Sequence, residues 1–451
     1  MNPVPKPLWQ RFLIFLVPLM AANILQSLSG TLNNIYIGQL LGVDALAAVS
    51  VFFPIMIFLI SFVIGLSSGA TVLIGQAWGA HNVDKVKEVA GTTFTATFLL
   101  GLVVALLGIF FTGPMMQLLG APANILEPAT NYARVLLIGM PGLFIFLMAT
   151  SVLRGVGDTV TPLVSLVISL GVGLIVTPAL ILGWFGLPQI GIMAAAVATI
   201  SGFTLVLVFL FFYMRARKHP LAPDRVLVGY LRINPGLFLM VLRLGIPAGV
   251  QMVVSSISAI VVVGLINRFG SDATAAYGAV NQVLSYVQFP AMSIAIAASI
   301  FGAQAIGAGQ VDQLRAITRT GLVMNLIITG ALVLLAYLFS RHLVALFITD
   351  PAVIEMTEGL LHIVLWSVVL FGLSAVFSGI MRASGTVLMP MVLSLACILC
   401  VELPGAIWLS STSLGLHGIW WAYAASFSTM LILQASWYQF VWRKKKITAL
   451  V

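Results

Sequence analysis

The sequence predicts an all-α membrane protein of twelve transmembrane helices, arranged as two six-helix bundles related by an internal repeat. Charged residues make up only 7% of the 451 residues and hydrophobic residues 61%, whereas a soluble domain carries roughly 25% charged residues. A chain this poor in charge cannot cover a soluble surface. Apolar runs long enough to cross a bilayer recur along the chain, and its two halves resemble each other in sequence.

Each predicted span is an apolar run of about 20 residues or more, which suffices to cross roughly 30 Å of hydrocarbon. The spans are 12–37, 46–72, 91–117, 129–152, 160–184, 190–214, 236–262, 275–302, 318–345, 357–381, 388–410 and 417–441.

Lysine and arginine cluster on one side of this arrangement. Lys6 and Arg11 precede the first span, "RARKHPLAPDRVLVGYLR" (215–232) follows the sixth, and "RKKK" (443–446) follows the twelfth. Because cytoplasmic loops are enriched in positive residues, we expect both termini in the cytoplasm and a multi-pass protein of the cell inner membrane. The net charge of +9 lies in these short clusters and forms no basic face, so nucleic acid is not an expected partner.

An internal repeat recurs at a separation of 228 residues. "IGQAWGAHNVDKVK" (74–87) matches "GAQAIGAGQVDQLR" (302–315), and "RGVGDTVTP" (154–162) matches "RASGTVLMP" (382–390). Six spans per half is an even number, so both halves start on the same side of the membrane, which predicts a parallel repeat. The predicted units are an N-terminal lobe, a cytoplasmic linker and a C-terminal lobe at residues 1–222, 223–234 and 235–451.

No pattern typical of an enzyme is present. The chain has no GxxxxGK[ST] phosphate loop, and its five histidines lack metal-ligand spacing. Cys397 and Cys400 lie inside an apolar run, where small residues that fill a helix interface are expected. We therefore expect a protein that is not an enzyme and has no metal or other cofactor, apart from a coupling ion.

Glu402 is the one acidic residue placed in the interior of a predicted span, since Glu358 lies at the outer border of its span. A charge at the centre of a membrane helix costs roughly 2.5–3.5 kcal/mol on insertion scales, and Pro404 nearby loosens the helix by removing a backbone donor. Glu402 is either a protonatable switch or a protonated acid that only hydrogen-bonds a neighbouring helix or a freed carbonyl. His362, in the preceding span, is a candidate partner.

Two further sets of residues allow two interpretations each. Polar side chains in spans one and seven either line a cleft or bond helix to helix; they include Gln26, Asn33, Asn34, Gln251 and Ser255.

The segment "RGVGDT" (154–159) is either a tight cytoplasmic turn, with Arg154 fixing the topology, or a gate in which Asp158 pairs with an arginine. Arg382 is the repeat counterpart of Arg154.

With these motifs in order on two six-helix halves, the whole chain resembles the multidrug and toxic compound extrusion (MATE) transporters. The resemblance is carried by "NNIYIGQLLGVDALAAVSVFFPI" (33–55), "GQAWGA" (75–80), "RGVGDTVTP" (154–162) and their second-half echoes. It implies two V-shaped bundles and antiport of organic cations or other amphiphiles against protons or sodium by alternating access. The DNA-damage-inducible bacterial branch is the nearer one.

The chain departs from the pattern of this family at its acids. The first-helix aspartate of many bacterial members aligns with Asn34, the fifth-helix aspartate with Thr177, and the second-lobe acids with Ser255 and Phe371. Three explanations of these missing acids are open. Ion coupling has moved to Glu402, or it is weak or carried by acids outside the spans. Alternatively, the substrate is not a cation.

These observations predict a secondary active exporter of small amphiphilic compounds, with a substrate cleft lined by Gln26, Asn33, Asn34, Thr177, Gln251 and Ser255. A flippase for lipid-linked precursors is the alternative. The expected partners are the substrates and the lipid bilayer, and the repeat makes a monomer sufficient.

Overall fold

The structure is a computed structural model that describes residues 6–451; residues 1–5, the start of the predicted N-terminal lobe, lie outside the described part. The described residues form helices and no strands. The helices are α1 Leu8–Leu41, α2 Val43–Gly79, α3 Val83–Leu118, α4 Leu126–Ile138, α5 Met140–Gly155, α6 Val160–Leu182, α7 Met193–Ala216, α8 Arg225–Gly229, α9 Pro235–Ile266, α10 Ser271–Gly307, α11 Gln313–Leu338, α12 Ser340–Ala345, α13 Pro351–Ala383, α14 Leu388–Cys397, α15 Leu403–Ser410 and α16 Leu416–Phe440.

All twelve predicted spans are helical, so the all-α fold class is confirmed. Within the described chain, ten helices are long and apolar enough to cross a membrane, with Leu388–Ser410 counted as one of them. The pair α4 and α5 qualifies as an eleventh when its two bent halves are taken together. The twelfth, α16, has 25 residues, or about 38 Å of helix, and it is less apolar because it contains tryptophan, tyrosine and glutamine.

The bend between α4 and α5 measures 50° and falls at Gly139. A Cβ at Gly139 would lie 2.4 Å from Cγ1 of Ile200 in α7, so only glycine allows this approach. Pro141 stands at the start of α5, where its missing N–H interrupts the helical ladder. Gly101 of α3 packs directly on Pro141, and the bend is therefore held in place by close helix contacts.

The chain divides into two compact units. One comprises the residues up to Met20, Gly79–His81 and Val250–Val451, and the other comprises Ala21–Trp78 and Asn82–Gly249. The helices α1 and α9 thus each contribute one segment to each unit, and each contains a proline near the division, Pro18 and Pro247. The lobe boundaries predicted at 222 and 235 stay a prediction.

In the second unit, α2 and the first part of α9 cross through glycines. Gly65 and Gly69 of α2 lie against Gly245 and Gly249 of α9. The approach is so close that a Cβ added at Gly65, Gly69 or Gly245 would lie within 2.7 Å of a backbone atom of the other helix. Since lipid supplies no hydrophobic driving force between helices, such close contact is a main source of helix association in a bilayer.

In the first unit, the start of α1 packs on α10. The rings of Phe12 and Phe15 lie 4.8 Å and 5.4 Å from the ring of Phe301, measured between centroids. Both α1 phenylalanines are buried. The repeat-related helices α1 and α9 therefore each begin against a long helix, α10 and α2 respectively.

Candidate functional site

Glu402 lies at the end of a π-helical turn, Ile398–Glu402, which joins α14 to α15. Pro404 follows at the first turn of α15 and has no N–H to donate to the preceding turn. Such π turns insert one extra residue into a helix and are frequent at functional sites.

The Glu402 side chain is surrounded by hydroxyl groups. The residue is 7% exposed, and Ser258 of α9 donates a hydrogen bond to its Oε1 at 2.7 Å. Ser426 of α16 lies within hydrogen-bonding reach of the same carboxyl, and Tyr423 lies near it. Among the described residues, no lysine, arginine or histidine nitrogen lies within 4.0 Å of this carboxyl group. The carboxyl group can therefore hold a proton or a small cation without displacing a basic residue.

His362, the candidate partner of Glu402, has other neighbours. Its Nε2 lies 3.0 Å from Oγ of Ser340 and 3.8 Å from Oε1 of Glu358. Tyr337 donates its hydroxyl to the backbone carbonyl of His362 at 2.7 Å. The structure thus brings His362 together with Glu358, and the pairing with Glu402 stays a prediction without a contact to support it.

A cavity of about 200 Å³ lies inside the second unit, among α1, α2, α5, α6 and α7. Three residues predicted for the substrate cleft line it: Gln26 and Asn33 of α1 and Thr177 of α6. Asn34 does not line it and is exposed. The two adjacent asparagines therefore differ in position: the Asn33 amide is in the cavity wall and the Asn34 amide is outside it.

Sequence reasoning missed three polar residues of this cavity, Tyr36, Ser169 and Thr199, and two of its aromatic residues, Phe146 and Phe203. Ser29 also lines the cavity. Ser29 stood in the polar run of the first span, but the hydroxyls in spans five and six are isolated within apolar sequence. Only the packing of the helices shows that these hydroxyls face the same space.

Gln251 and Ser255, the remaining predicted cleft residues, belong to the part of α9 in the first unit and do not line the cavity. Gln251 is half-buried and Ser255 exposed. Ser258, one turn further along α9, is the residue that reaches Glu402. The polar run of span seven therefore contributes to the carboxyl site through a different serine.

Asp158 caps the first turn of α6 and does not pair with an arginine. Its Oδ1 accepts hydrogen bonds from the backbone N–H groups of Val160 and Thr161 at 3.1 Å and 3.0 Å. Nε2 of His219, in the loop between α7 and α8, lies 3.4 Å from Oδ2. Burial acts to raise the pKa of Asp158, but hydrogen bonds from His219 and Thr161 outweigh burial and hold the pKa below its ordinary value.

The two repeat-related arginines lie at equivalent helix ends. Arg154 is in the last turn of α5 and Arg382 in the last turn of α13. Arg382 donates to Oγ of Ser378 at 3.3 Å, while Nε of Arg154 has no hydrogen-bond partner within the described chain. A role for either arginine in gating stays a prediction.

The described residues contain no group of three or more histidine, cysteine, aspartate or glutamate side chains that could hold a metal ion. Cys397 is buried beside the π turn and Cys400 is exposed. The chemistry that this molecule offers is thus a carboxyl group among hydroxyls in one unit and an uncharged polar cavity in the other.

A helical membrane fold with two sequence repeats, a membrane-embedded carboxyl and an internal cavity defines a class of membrane transporter. The MatE family model matches residues 18–179 and again residues 247–408, which confirms the repeat. The chain belongs to the MatE family, a family of transporters.

Relatives in sequence and in structure agree with this assignment. The chain is 46% identical over 448 residues to the "Probable multidrug resistance protein YoeA" of Bacillus subtilis, covering 99% of this chain and 97% of that one. It is 26% identical to the "FAD transporter" of Shewanella oneidensis, over 82% of this chain and 81% of that one. The solved structure "Crystal structure of MATE in the straight conformation" has the same fold, with a TM-score of 0.87, 21% identity and coverage of 96% and 95%. Membership of the DNA-damage-inducible branch stays a prediction.

Proposed function

We propose that the protein is a secondary active exporter of small amphiphilic compounds, in which Glu402 couples transport to a proton or sodium gradient. The observation that carries this proposal is the buried Glu402 carboxyl, which is hydrogen-bonded by Ser258 at 2.7 Å and has no basic partner among the described residues. A carboxyl without a counter-ion in apolar surroundings gains most from binding a proton or a cation.

Coupling requires that the bound ion favours one conformation over the other, because a ligand shifts an equilibrium only by its difference in affinity for the two states. The contacts of Glu402 can give the two conformations different affinities for the ion. Ser258 belongs to α9 and Ser426 to α16, so movement of either helix changes the hydrogen bonds offered to the carboxyl. The π turn at 398–402 holds this carboxyl, and such turns are frequent at functional sites.

The substrate is proposed to bind in the cavity lined by Gln26, Asn33 and Thr177. The printed names of relatives support export of drug-like compounds: one is a "Probable multidrug resistance protein" and another, from Staphylococcus aureus, a "Multidrug export protein MepA". We further infer a monomer, because the repeat already supplies two lobes. The distribution of lysine and arginine supports a place in the cell inner membrane with both termini in the cytoplasm.

The test uses everted membrane vesicles that contain wild-type protein, Glu402→Gln or Glu355→Gln. Proton and sodium gradients are imposed separately, and uptake of a panel of fluorescent amphiphiles is recorded. We expect Glu402→Gln to lose the stimulation that the coupling gradient gives to the wild type. Glu355→Gln should keep it, since Glu355 is exposed.

Equal gradient-driven uptake by wild type and Glu402→Gln would remove Glu402 from the coupling mechanism. A fluorescent lipid that is translocated while no amphiphile is transported would favour the flippase alternative instead.

A further inference from the structure

The polar side chains that border the cavity of the second unit are all uncharged groups. They are two amides, four hydroxyls of serine and threonine, and one phenol: Gln26, Asn33, Ser29, Ser169, Thr177, Thr199 and Tyr36. Among the described residues that line it there is no aspartate, glutamate, lysine, arginine or histidine. The cavity therefore offers hydrogen bonds but no counter-charge.

A charged ligand would lose its hydration on entering such a space without gaining an ionic partner, and an unpaired charge in an apolar interior is strongly disfavoured. An uncharged ligand meets no such penalty. Its polar atoms can bond to the amides of Gln26 and Asn33, each of which offers both a donor and an acceptor. These amides stand seven residues apart on α1, which places them two turns apart on the same face of the helix.

The apolar part of the wall suits a ring system. The rings of Phe146 and Phe203 lie 5.0 Å apart, between centroids, at an interplanar angle of 33°, and both residues border the cavity. The volume of about 200 Å³ exceeds the roughly 150 Å³ of an engineered cavity that binds benzene. It is smaller than the roughly 300–1,000 Å³ typical of sites for drug-sized ligands.

We propose that the compounds bound in this cavity are uncharged, compact, planar amphiphiles that carry a hydrogen-bonding group such as a lactam. This inference rests on the proposed function, because it names the substrate class of the proposed exporter. It makes Asn33 a determinant of specificity: an amide at this position selects an uncharged ligand, and a carboxylate there would select a cation.

The experiment compares two bicyclic compounds of the same skeleton, 2-quinolinone, which is neutral, and 1-methylquinolinium, which is a permanent cation. Their dissociation constants are measured by calorimetry on purified full-length protein in detergent. We expect the wild type to bind 2-quinolinone more tightly. Asn33→Asp should shift the ratio of the two constants toward the cation by roughly tenfold or more, as a charge pair in partly buried surroundings allows.

Thr31→Asp is the control, since it adds the same charge two residues away, at an exposed position outside the cavity wall. It should leave the ratio unchanged. Gln26→Glu repeats the test at a second wall position, so the proposal stays testable if Asn33→Asp does not fold.

Three results would overturn the inference: tighter binding of 1-methylquinolinium by the wild type, binding of neither compound, or an equal response to Asn33→Asp and Thr31→Asp. None of these results contradicts the exporter proposal. That proposal fails on a separate measurement, the absence of gradient-driven transport in vesicles.

Discussion

The crossing of α2 and α9 gives a prediction whose sign follows directly from distances. Gly65 of α2 faces Gly245 and Gly249 of α9, and a Cβ at position 65 would lie 2.6 Å from N of Gly249 and 2.7 Å from O of Gly245. Both neighbours are backbone atoms and cannot rotate away. The substitution Gly65→Ala must therefore push the two helices apart.

Two opposing effects set the magnitude. Overpacking of a well-packed interior costs about 1–3 kcal/mol, whereas replacing glycine with alanine inside a helix contributes about 1 kcal/mol of stabilisation. We expect Gly65→Ala to destabilise the protein by up to about 2 kcal/mol after both effects are combined. The contact lies wholly within the second unit, so the loss should appear as reduced stability of that unit.

The assay is thermal unfolding of purified protein in detergent, followed by the loss of the monodisperse peak in size-exclusion chromatography. Gly171→Ala is the control, because Gly171 lies in α6 of the same unit and a Cβ there would meet nothing within 4 Å. It should raise the unfolding temperature while Gly65→Ala lowers it. If both substitutions shift the unfolding temperature in the same direction, the close approach of α2 and α9 is not the reason for glycine at position 65.

Two further predictions concern polar groups. The pKa of Asp158 is lowered in the folded protein, so its contribution to stability is present above the unfolded value of about 3.9 and is lost as pH falls through the folded value. Asp158→Ala should lower stability at pH 7 by about 1 kcal/mol through the lost helix cap. It should also flatten the acid limb of a stability profile measured by thermal unfolding, whereas Glu355→Gln at an exposed position should not. Asn325 of α11 is fully buried, and neither atom of its amide has a partner within the described chain. Asn325→Leu should leave stability unchanged or raise it by about 1 kcal/mol, since removal of an unpaired polar group from an interior is neutral or favourable. The measurement is the midpoint of thermal unfolding. A clear decrease of this midpoint would show that the amide is bonded to a water molecule or another ligand.

Much of the fold could be predicted because membrane helices are specified by local properties. A run of about 20 apolar residues must be helical in a bilayer, since all its backbone groups need partners within the segment. The repeat was visible as direct matches such as Gln76 with Gln304, and the family match at 18–179 and 247–408 has the same origin. The exchange of helix segments between the units, with residues up to Met20 in one and Ala21 onward in the other, depends on contacts between distant residues and has no local pattern.

The candidate sites were only partly predictable. Glu402 was identified from sequence because a lone acid in an apolar run is costly and therefore conspicuous. Its partner was not, since His362 is at a comparable depth but contacts Glu358, while Ser258 reaches the carboxyl from α9. The depth of a residue in a span can be counted along the chain, but the side of the helix that meets a given neighbour cannot.

The sequence by itself determined the membrane class, the helical spans, the repeat and the one acid in the interior of a span, because each follows from composition or spacing along the chain. Only the tertiary structure decided that Asn33 borders the cavity and Asn34 does not, that the π turn holds Glu402 against Ser258, and that the cavity wall contains no charged group. The physical reason is that these properties depend on how helices rotate and cross. Rotation and crossing are set by close contacts such as those of Gly65 with Gly245 and Gly249, which join residues far apart in the chain.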